Sequence, residues 1–195
     1  MCIRDRNYET EFQLLIAILM SAQVTDVQVN KVNTTFFQYI KVPEDGVNLW
    51  VEKISDFINT ISFYRNKSRF IFETSTILKN QYNSQVPKTI KELTSLPGVW
   101  IKTAKVFLWV IEDAPYLWVD THVHRVLNRT WIVNTKSALE TDKIAEKIFT
   151  ENDLAFLHNT LIFFGRYHCI ARKPKCTECK LKDFCKYYAK TKKSA

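Results

Sequence analysis

The chain has 195 residues, 46% of them hydrophobic and 25% charged, with a net charge of +8. That length gives one large domain or two small ones, with enough apolar content for a real core. No run of about 18 apolar residues is present to span a membrane and no charged-then-apolar leader opens the chain. Three glycines and five prolines argue for helices joined by short turns, so the expectation is a cytoplasmic, helical protein.

Met1-Cys2-Ile3-Arg4-Asp5-Arg6 fits nothing that follows. It resembles the translation of a sequencing-adapter oligonucleotide, so residues 1–6 are read as a non-native leader and the true N-terminus as missing. Glu9 to Gln23 is apolar nearly all round and reads as a central helix. Thr25 or Asp26 can cap a second helix to about Ile40, with Val29, Val32, Phe36 and Ile40 on one face. Pro43 to Gly46 reads as a turn, Val47 to Ile58 as a third helix, Ile61 to Lys67 as a connector and Ser68 to Tyr82 as a fourth helix. A short helix containing Leu93 begins at Val86-Pro87. Lys102 to Ala114 follows, stopped by Pro115. Asp120-Thr121-His122 looks like the start of a helix to about Val133. Ser137 to Thr150 and Asp153 to Phe164 are two more, and a cysteine loop with a short basic helix closes the chain. Trp50, Trp109, Trp118 and Trp131 lie in apolar runs and are read as core. The fold class is all-α, with no convincing β pattern.

Charge and cysteines both gather at the end. Residues 161–195 hold ten Lys and Arg against Glu178 and Asp183, which accounts for the whole net charge. A basic patch so confined points to a polyanion, nucleic acid first; a solubilising tail is the competing reading. Cys169, Cys176, Cys179 and Cys185 lie within 17 residues in a C-x6-C-x2-C-x5-C spacing. In a cytosolic chain this is a metal or cluster site rather than a set of disulfides. Four thiolates can hold a [4Fe–4S] cluster or tetrahedral zinc. A single close pair, with three ligands in one tight loop, suits the cuboidal cluster better than zinc.

Leu96-Pro97-Gly98-Val99-Trp100-Ile101-Lys102-Thr103-Ala104 joins two helical patterns by a very short turn. It sets Lys102 at the start of an apolar helix. The positive end of the helix dipole and apolar backing both disfavour a charged amine there, and an uncharged amine is a nucleophile. Taken alone, the stretch reads better as an exposed helix-start lysine that binds a phosphate.

Four motifs together resemble the endonuclease III family of helix-hairpin-helix DNA glycosylases with apurinic/apyrimidinic (AP) lyase activity. They are Ser21-Ala22-Gln23-x-Thr25-Asp26, the Leu96–Ala104 stretch, Val119-Asp120-Thr121-His122-Val123-x-Arg125-Val126, and the cysteine loop with Gly165-Arg166-Tyr167 before it and Ala171-Arg172-Lys173-Pro174 inside it. The resemblance covers about residues 9–190, in the family's order and intervals. It implies a helix-hairpin-helix bundle over residues 7–113, an iron–sulfur domain over 114–190, a basic tail at 191–195, and an active-site groove between the two domains. It implies a [4Fe–4S] cluster on Cys169, Cys176, Cys179 and Cys185, and a monomer that acts on double-stranded DNA carrying damaged bases or abasic sites, with no membrane partner, in a bacterial cytoplasm and on its nucleoid.

By the same resemblance Lys102 attacks C1′ of the damaged nucleotide. Asp120 is the catalytic carboxylate as well as a helix cap, and its electrostatic role is expected to dominate, because a well-capped Asp is a poor base. Gln23 takes the space of the flipped base and Phe63 wedges at the opposite strand, with ordinary core as the alternative for Phe63. His122 lines the lesion pocket or simply packs beside Asp120. Lys67 is a phosphate contact or a solvated lysine. Gly98 and Thr103 belong to the phosphate-seating hairpin, and Arg172 and Lys173 meet phosphates from the cluster loop. Trp100 stands where the family usually has glycine, and is expected to cost some of the conformational freedom that glycine gives there. The function implied is excision of oxidised pyrimidines with strand nicking by Schiff-base β-elimination. The rival readings are a monofunctional adenine glycosylase and a catalytically impaired damage-binding protein.

Overall fold

The computed structural model describes residues 7–114 and 116–193, and ten α-helices but no strand occur among them. The expected leader at residues 1–6, the helix stop expected at Pro115 and the last two residues of the expected tail lie outside the described residues. The chain divides after Ala114 into two compact units.

In the first unit, α1 (Glu11–Met20) starts where the Thr10 hydroxyl accepts the Gln13 N–H at 3.1 Å. Every residue from Phe12 to Met20 is buried, as an all-round apolar helix must be. The amide of buried Gln13 donates to the carbonyls of Phe37 and Ile40, at 3.0 and 2.9 Å, so its burial leaves no donor unmet. Thr25 caps α2 (Asp26–Phe36). α3 (Pro43–Ile58) and α4 (Tyr64–Gln81) pair closely, and a Cβ on Gly46 would collide with the Ser75 side chain.

Both of these helices begin earlier than the hydrophobic pattern indicates. Pro43–Gly46 is not a turn but the first turn of α3: proline suits the first helical position, and the Asp45 carboxylate accepts the Lys41 and Val42 N–H groups at 2.8 and 3.1 Å. The expected connector at 61–67 already contains the start of α4. Trp50 is not core either; it marks a kink in α3, is exposed, and stacks on Phe72 with centroids 5.7 Å apart. Trp109 and Trp118 are buried as expected.

α5 (Ile90–Leu93) and α6 (Ile101–Glu112) flank the hairpin turn. Leu96 and Val99 anchor the turn in the core, and Gly98 takes φ +73°. A Cβ there would lie 2.6 Å from Cδ2 of Phe70 on α4. Thr74, one turn further along α4, donates its hydroxyl to the Pro97 carbonyl at 3.1 Å. The hairpin therefore rests on α4, and only glycine satisfies both the left-handed backbone and the close approach.

The second unit packs α7 (Thr121–Thr130), α8 (Ala138–Ile148) and α9 (Glu151–Tyr167) around Leu117, Val123, Val126, Leu127, Ala145, Leu154 and Leu161. Gly165 of α9 lies against α7, where an added Cβ would sit 2.9 Å from Cβ of His122. A short 3-10 turn (Lys182–Phe184) and α10 (Lys186–Lys193) follow. Trp131, expected in the core, ends α7 in a left-handed conformation and is exposed, with the Lys186 and Lys190 amines 4.4 and 4.8 Å from its ring centroid.

Gly98→Ala is expected to lower the unfolding free energy by about 1–3 kcal/mol, from a strained φ plus the collision with Phe70. Trp100→Ala, two residues on, is expected to change it by no more than about 0.5 kcal/mol. Chemical denaturation of the two variants checks the contrast.

Candidate active site and cluster loop

Lys102 is exposed at the second position of α6, with Thr103 half-buried beside it. Trp100 is the N-cap, with φ −91° and ψ 166°, and no side chain caps the helix. Its carbonyl accepts the Ala104 N–H at 3.0 Å. An uncapped helix start presents its first N–H groups to an incoming anion. The conformation at Trp100 is ordinary extended backbone, so the cost in conformational freedom expected there does not arise. The indole is 74% exposed and crowds nothing within the fold.

Asp120 caps α7. Its Oδ1 accepts the His122 and Val123 N–H groups at 2.8 and 2.9 Å, and its Oδ2 lies 3.1 Å from Nδ1 of His122. Burial pushes the carboxyl upward, but the hydrogen bonds from Val123 and His122 and the His122 charge outweigh it and hold the group below its ordinary 3.8. The chain entering this cap is held as well, since buried Asp142 of α8 accepts the Val119 N–H at 3.2 Å.

Gln23 and Phe63 share an unusual backbone. Both take φ +59°, both are exposed, and Phe63 is the N-cap of α4 at 62% exposure. The core alternative for Phe63 is thereby excluded. Left-handed conformations are rare for such residues and cluster where a side chain must be aimed. Lys67 is neither a phosphate contact nor solvated. It is 5% exposed, and its amine donates to the carbonyls of Met20 and Ala22 at 2.8 and 2.7 Å. Burial lowers this amine to about 8.

The four cysteines line one cavity, together with Arg129, His168 and Tyr187, while Arg172 and Lys173 of the loop are exposed, Lys173 with φ +52°. The signature of the HhH-GPD superfamily of base excision DNA repair proteins matches residues 16–151, and that of the iron–sulfur binding domain of endonuclease III matches residues 169–185. Endonuclease III of Bacillus subtilis (strain 168) is 41% identical over 180 residues, which is 92% of this chain and 82% of that protein. The Escherichia coli (strain K12) protein is 40% identical over 186 residues, 95% and 88% of the two chains. This chain belongs to the endonuclease III family. A solved structure of a trapped endonuclease III–DNA covalent intermediate superposes with a TM-score of 0.88 at 38% identity, over 98% of this chain and 90% of that one. A thermostable thymine-DNA glycosylase, at 24% identity and a TM-score of 0.83, shares the fold. As an endonuclease III family member, the chain is a base-excision-repair DNA glycosylase with AP lyase activity and an iron–sulfur protein with a [4Fe–4S] cluster.

The donor set fits that cluster. Burial, and then the charges of Cys169, Cys185 and Cys179, push the Cys176 thiol up, so four thiols close together need a positive centre to become thiolates. The buried Nε2 of His168, on the same cavity, has no hydrogen-bond partner, a polar group that cluster sulfur can satisfy.

Two residues of α7 hold the loop, and neither received a role from the sequence. Arg125 donates to the carbonyls of Cys169 and Gly165 at 3.0 and 2.7 Å. Arg129 donates to Ile170 and Ala171 at 2.8 and 2.9 Å, lies 3.5 Å from Sγ of Cys169, and stacks 4.3 Å over Tyr187. Their i, i+4 spacing on one helix face was the available signal.

Asp120→Asn keeps a cap and removes the charge, so its stability at neutral pH is expected within about 1 kcal/mol of the parent, whereas Asp120→Ala loses about 0.5–2 kcal/mol. Because the folded carboxyl lies below 3.8, its charge-dependent stabilisation is complete above that pH and fades as pH falls through the lower folded value. Acid titrations of the parent and Asp120→Asn should therefore separate at neutral pH and converge in strong acid. Arg129→Met is expected to yield protein with clearly less than the parent's complement of about four irons and a fainter brown absorbance, measured by iron assay on freshly purified protein.

Proposed function

We propose that this chain excises oxidised pyrimidines from double-stranded DNA and nicks abasic sites by β-elimination, acting on nucleoid DNA in a bacterial cytoplasm. The observation that carries the reading is an exposed lysine, Lys102, at the uncapped start of α6. The open N–H groups there seat a phosphate, which brings the sugar next to that phosphate within reach of the amine.

The Lys102 amine attacks C1′ through its nitrogen lone pair and the C1′–N bond to the base breaks. Its electron pair leaves with the base, which takes up a proton. In the resulting N,O-acetal the C1′–O4′ bond breaks, O4′ takes up a proton as the attacking nitrogen loses one, and the C1′=N Schiff base that forms acidifies the C2′ proton. Loss of that proton forms the C2′–C3′ double bond and expels the 3′ phosphate; water then hydrolyses the imine and frees Lys102. Asp120, fixed and ionised by its cap, stabilises positive charge developing on the sugar. Gln23 and Phe63 enter the duplex where the base leaves it, and His122, hydrogen-bonded to Asp120, faces the extruded base. Arg172 and Lys173 contact phosphates. When bound, the cluster orders this basic loop and takes no part in bond making.

Borohydride trapping on a duplex with one abasic site tests the reading. The parent is expected to give a covalent adduct and Lys102→Ala none, while Asp120→Asn lowers single-turnover excision by about 10²–10³-fold, the size of a preorganised electrostatic contribution. Binding without an adduct in the parent favours the impaired damage-binding protein, and base release without nicking favours the monofunctional glycosylase.

A further inference from the structure

Lys67 is a buried cation at an unusual place. Its backbone N–H donates to the Phe63 carbonyl at 3.1 Å within the first turn of α4. Its amine reaches the carbonyls of Met20, the last residue of α1, and of Ala22, next to Gln23. A helix C-terminus carries partial negative charge and unmet carbonyls, so a donor with three hydrogens is well matched to it. One side chain thus joins two turns distant in sequence, and each turn holds an exposed residue in the left-handed conformation, Gln23 on one and Phe63 on the other. Single left-handed residues cost about 1–3 kcal/mol unless surrounding structure holds them. The other hydrogen bonds of the Gln23 turn are local: Ser21 N–H to the Ala17 and Ile18 carbonyls at 3.2 and 3.1 Å, Ala22 N–H to the Leu19 carbonyl at 3.5 Å, Val24 N–H to the Ser21 carbonyl at 3.1 Å, and the Ser21 hydroxyl to the Ile18 carbonyl at 2.6 Å. Lys67 adds a long-range tie, 47 and 45 residues away along the chain.

We propose that Lys67 is a positioning residue for base extrusion: it clamps the Gln23 turn to the start of α4 and so sets the spacing between the Gln23 and Phe63 side chains as they enter the duplex. The proposal rests on the reading that those two side chains enter the DNA. Lys67 itself touches no substrate. Excision of a stacked base, which needs both wedges, depends on it more than cleavage at a site that has already lost its base.

Lys67→Met removes the donors at nearly constant volume, and Lys67→Gln keeps a shorter donor. The full-length cluster-loaded protein is compared with each variant for thermal unfolding, iron content, single-turnover excision of an oxidised pyrimidine, and lyase cleavage of a preformed abasic site. Lys67→Met is expected to slow excision by about tenfold, the equivalent of one charge-assisted hydrogen bond. It should slow the lyase reaction by much less, with Lys67→Gln intermediate. In a Gln23→Ala background, Lys67→Met should add little further loss. Equal losses on both substrates, an unchanged excision rate, or full additivity with Gln23→Ala overturns the proposal. If Lys67→Met fails to fold, Lys67→Gln decides by the same comparison, and if neither folds, Lys67 is a structural residue and the proposal is overturned. Gln23→Ala and Phe63→Ala alone test the underlying reading: parent-like excision in both rejects it independently of Lys67.

Discussion

Hydrogen bonds from two arginines to the backbone around Cys169 tie the cysteine loop to the apolar core of the second unit. The cysteine loop has a 3-10 turn and local turns but little apolar burial of its own, so its position depends on polar ties. Arg125 and Arg129 supply these from one face of α7, meeting carbonyls that the end of α9 and the loop leave open. The same helix begins at Asp120. A single ten-residue rod therefore carries the capped carboxylate at one end and the anchor for the cluster ligands along its length. It packs against α9 at Gly165, where there is no room for a Cβ.

The first unit solves a different problem, the display of side chains on turns. Its core is conventional and α1 is its buried axis. What is unusual lies at the ends of helices, where Gln23, Phe63 and Gly98 all have positive φ. Only Gly98 does so without steric cost. The other two are held by neighbours, Lys67 foremost, so rigidity at the exposed edge is drawn from hydrogen bonds made in the interior. Lys67 and Thr74, two turns apart on α4, tie the Gln23 turn and the hairpin to the same helix.

Much of this was legible in the sequence. Apolar periodicity found the central α1, the capping residues Thr25 and Asp120 marked helix starts, and the cysteine spacing pointed to the cluster. What was missed has a common cause. The starts of α3 and α4 lack an apolar stripe, and proline and an Asp45 cap on one, and a left-handed Phe63 on the other, define them instead. Trp50 and Trp131 looked like core because they sit among apolar neighbours, yet each lies at a break in its helix where the side chain turns outward. Lys67, Arg125, Arg129 and Asp142 act through backbone groups distant in sequence, and a one-dimensional pattern does not show which carbonyl a long side chain will reach.

The backbone at Trp100 bears on how such hairpins are recognised. Glycine is obligatory at position 98, where a left-handed turn meets Phe70, and optional at position 100, where φ −91° and ψ 166° suit any residue. The open N–H groups at the start of α6 belong to the main chain and are the same whichever side chain stands at 100. A search pattern demanding glycine at both positions would pass over this chain, whereas one demanding it at 98 and lysine four residues later would retain it.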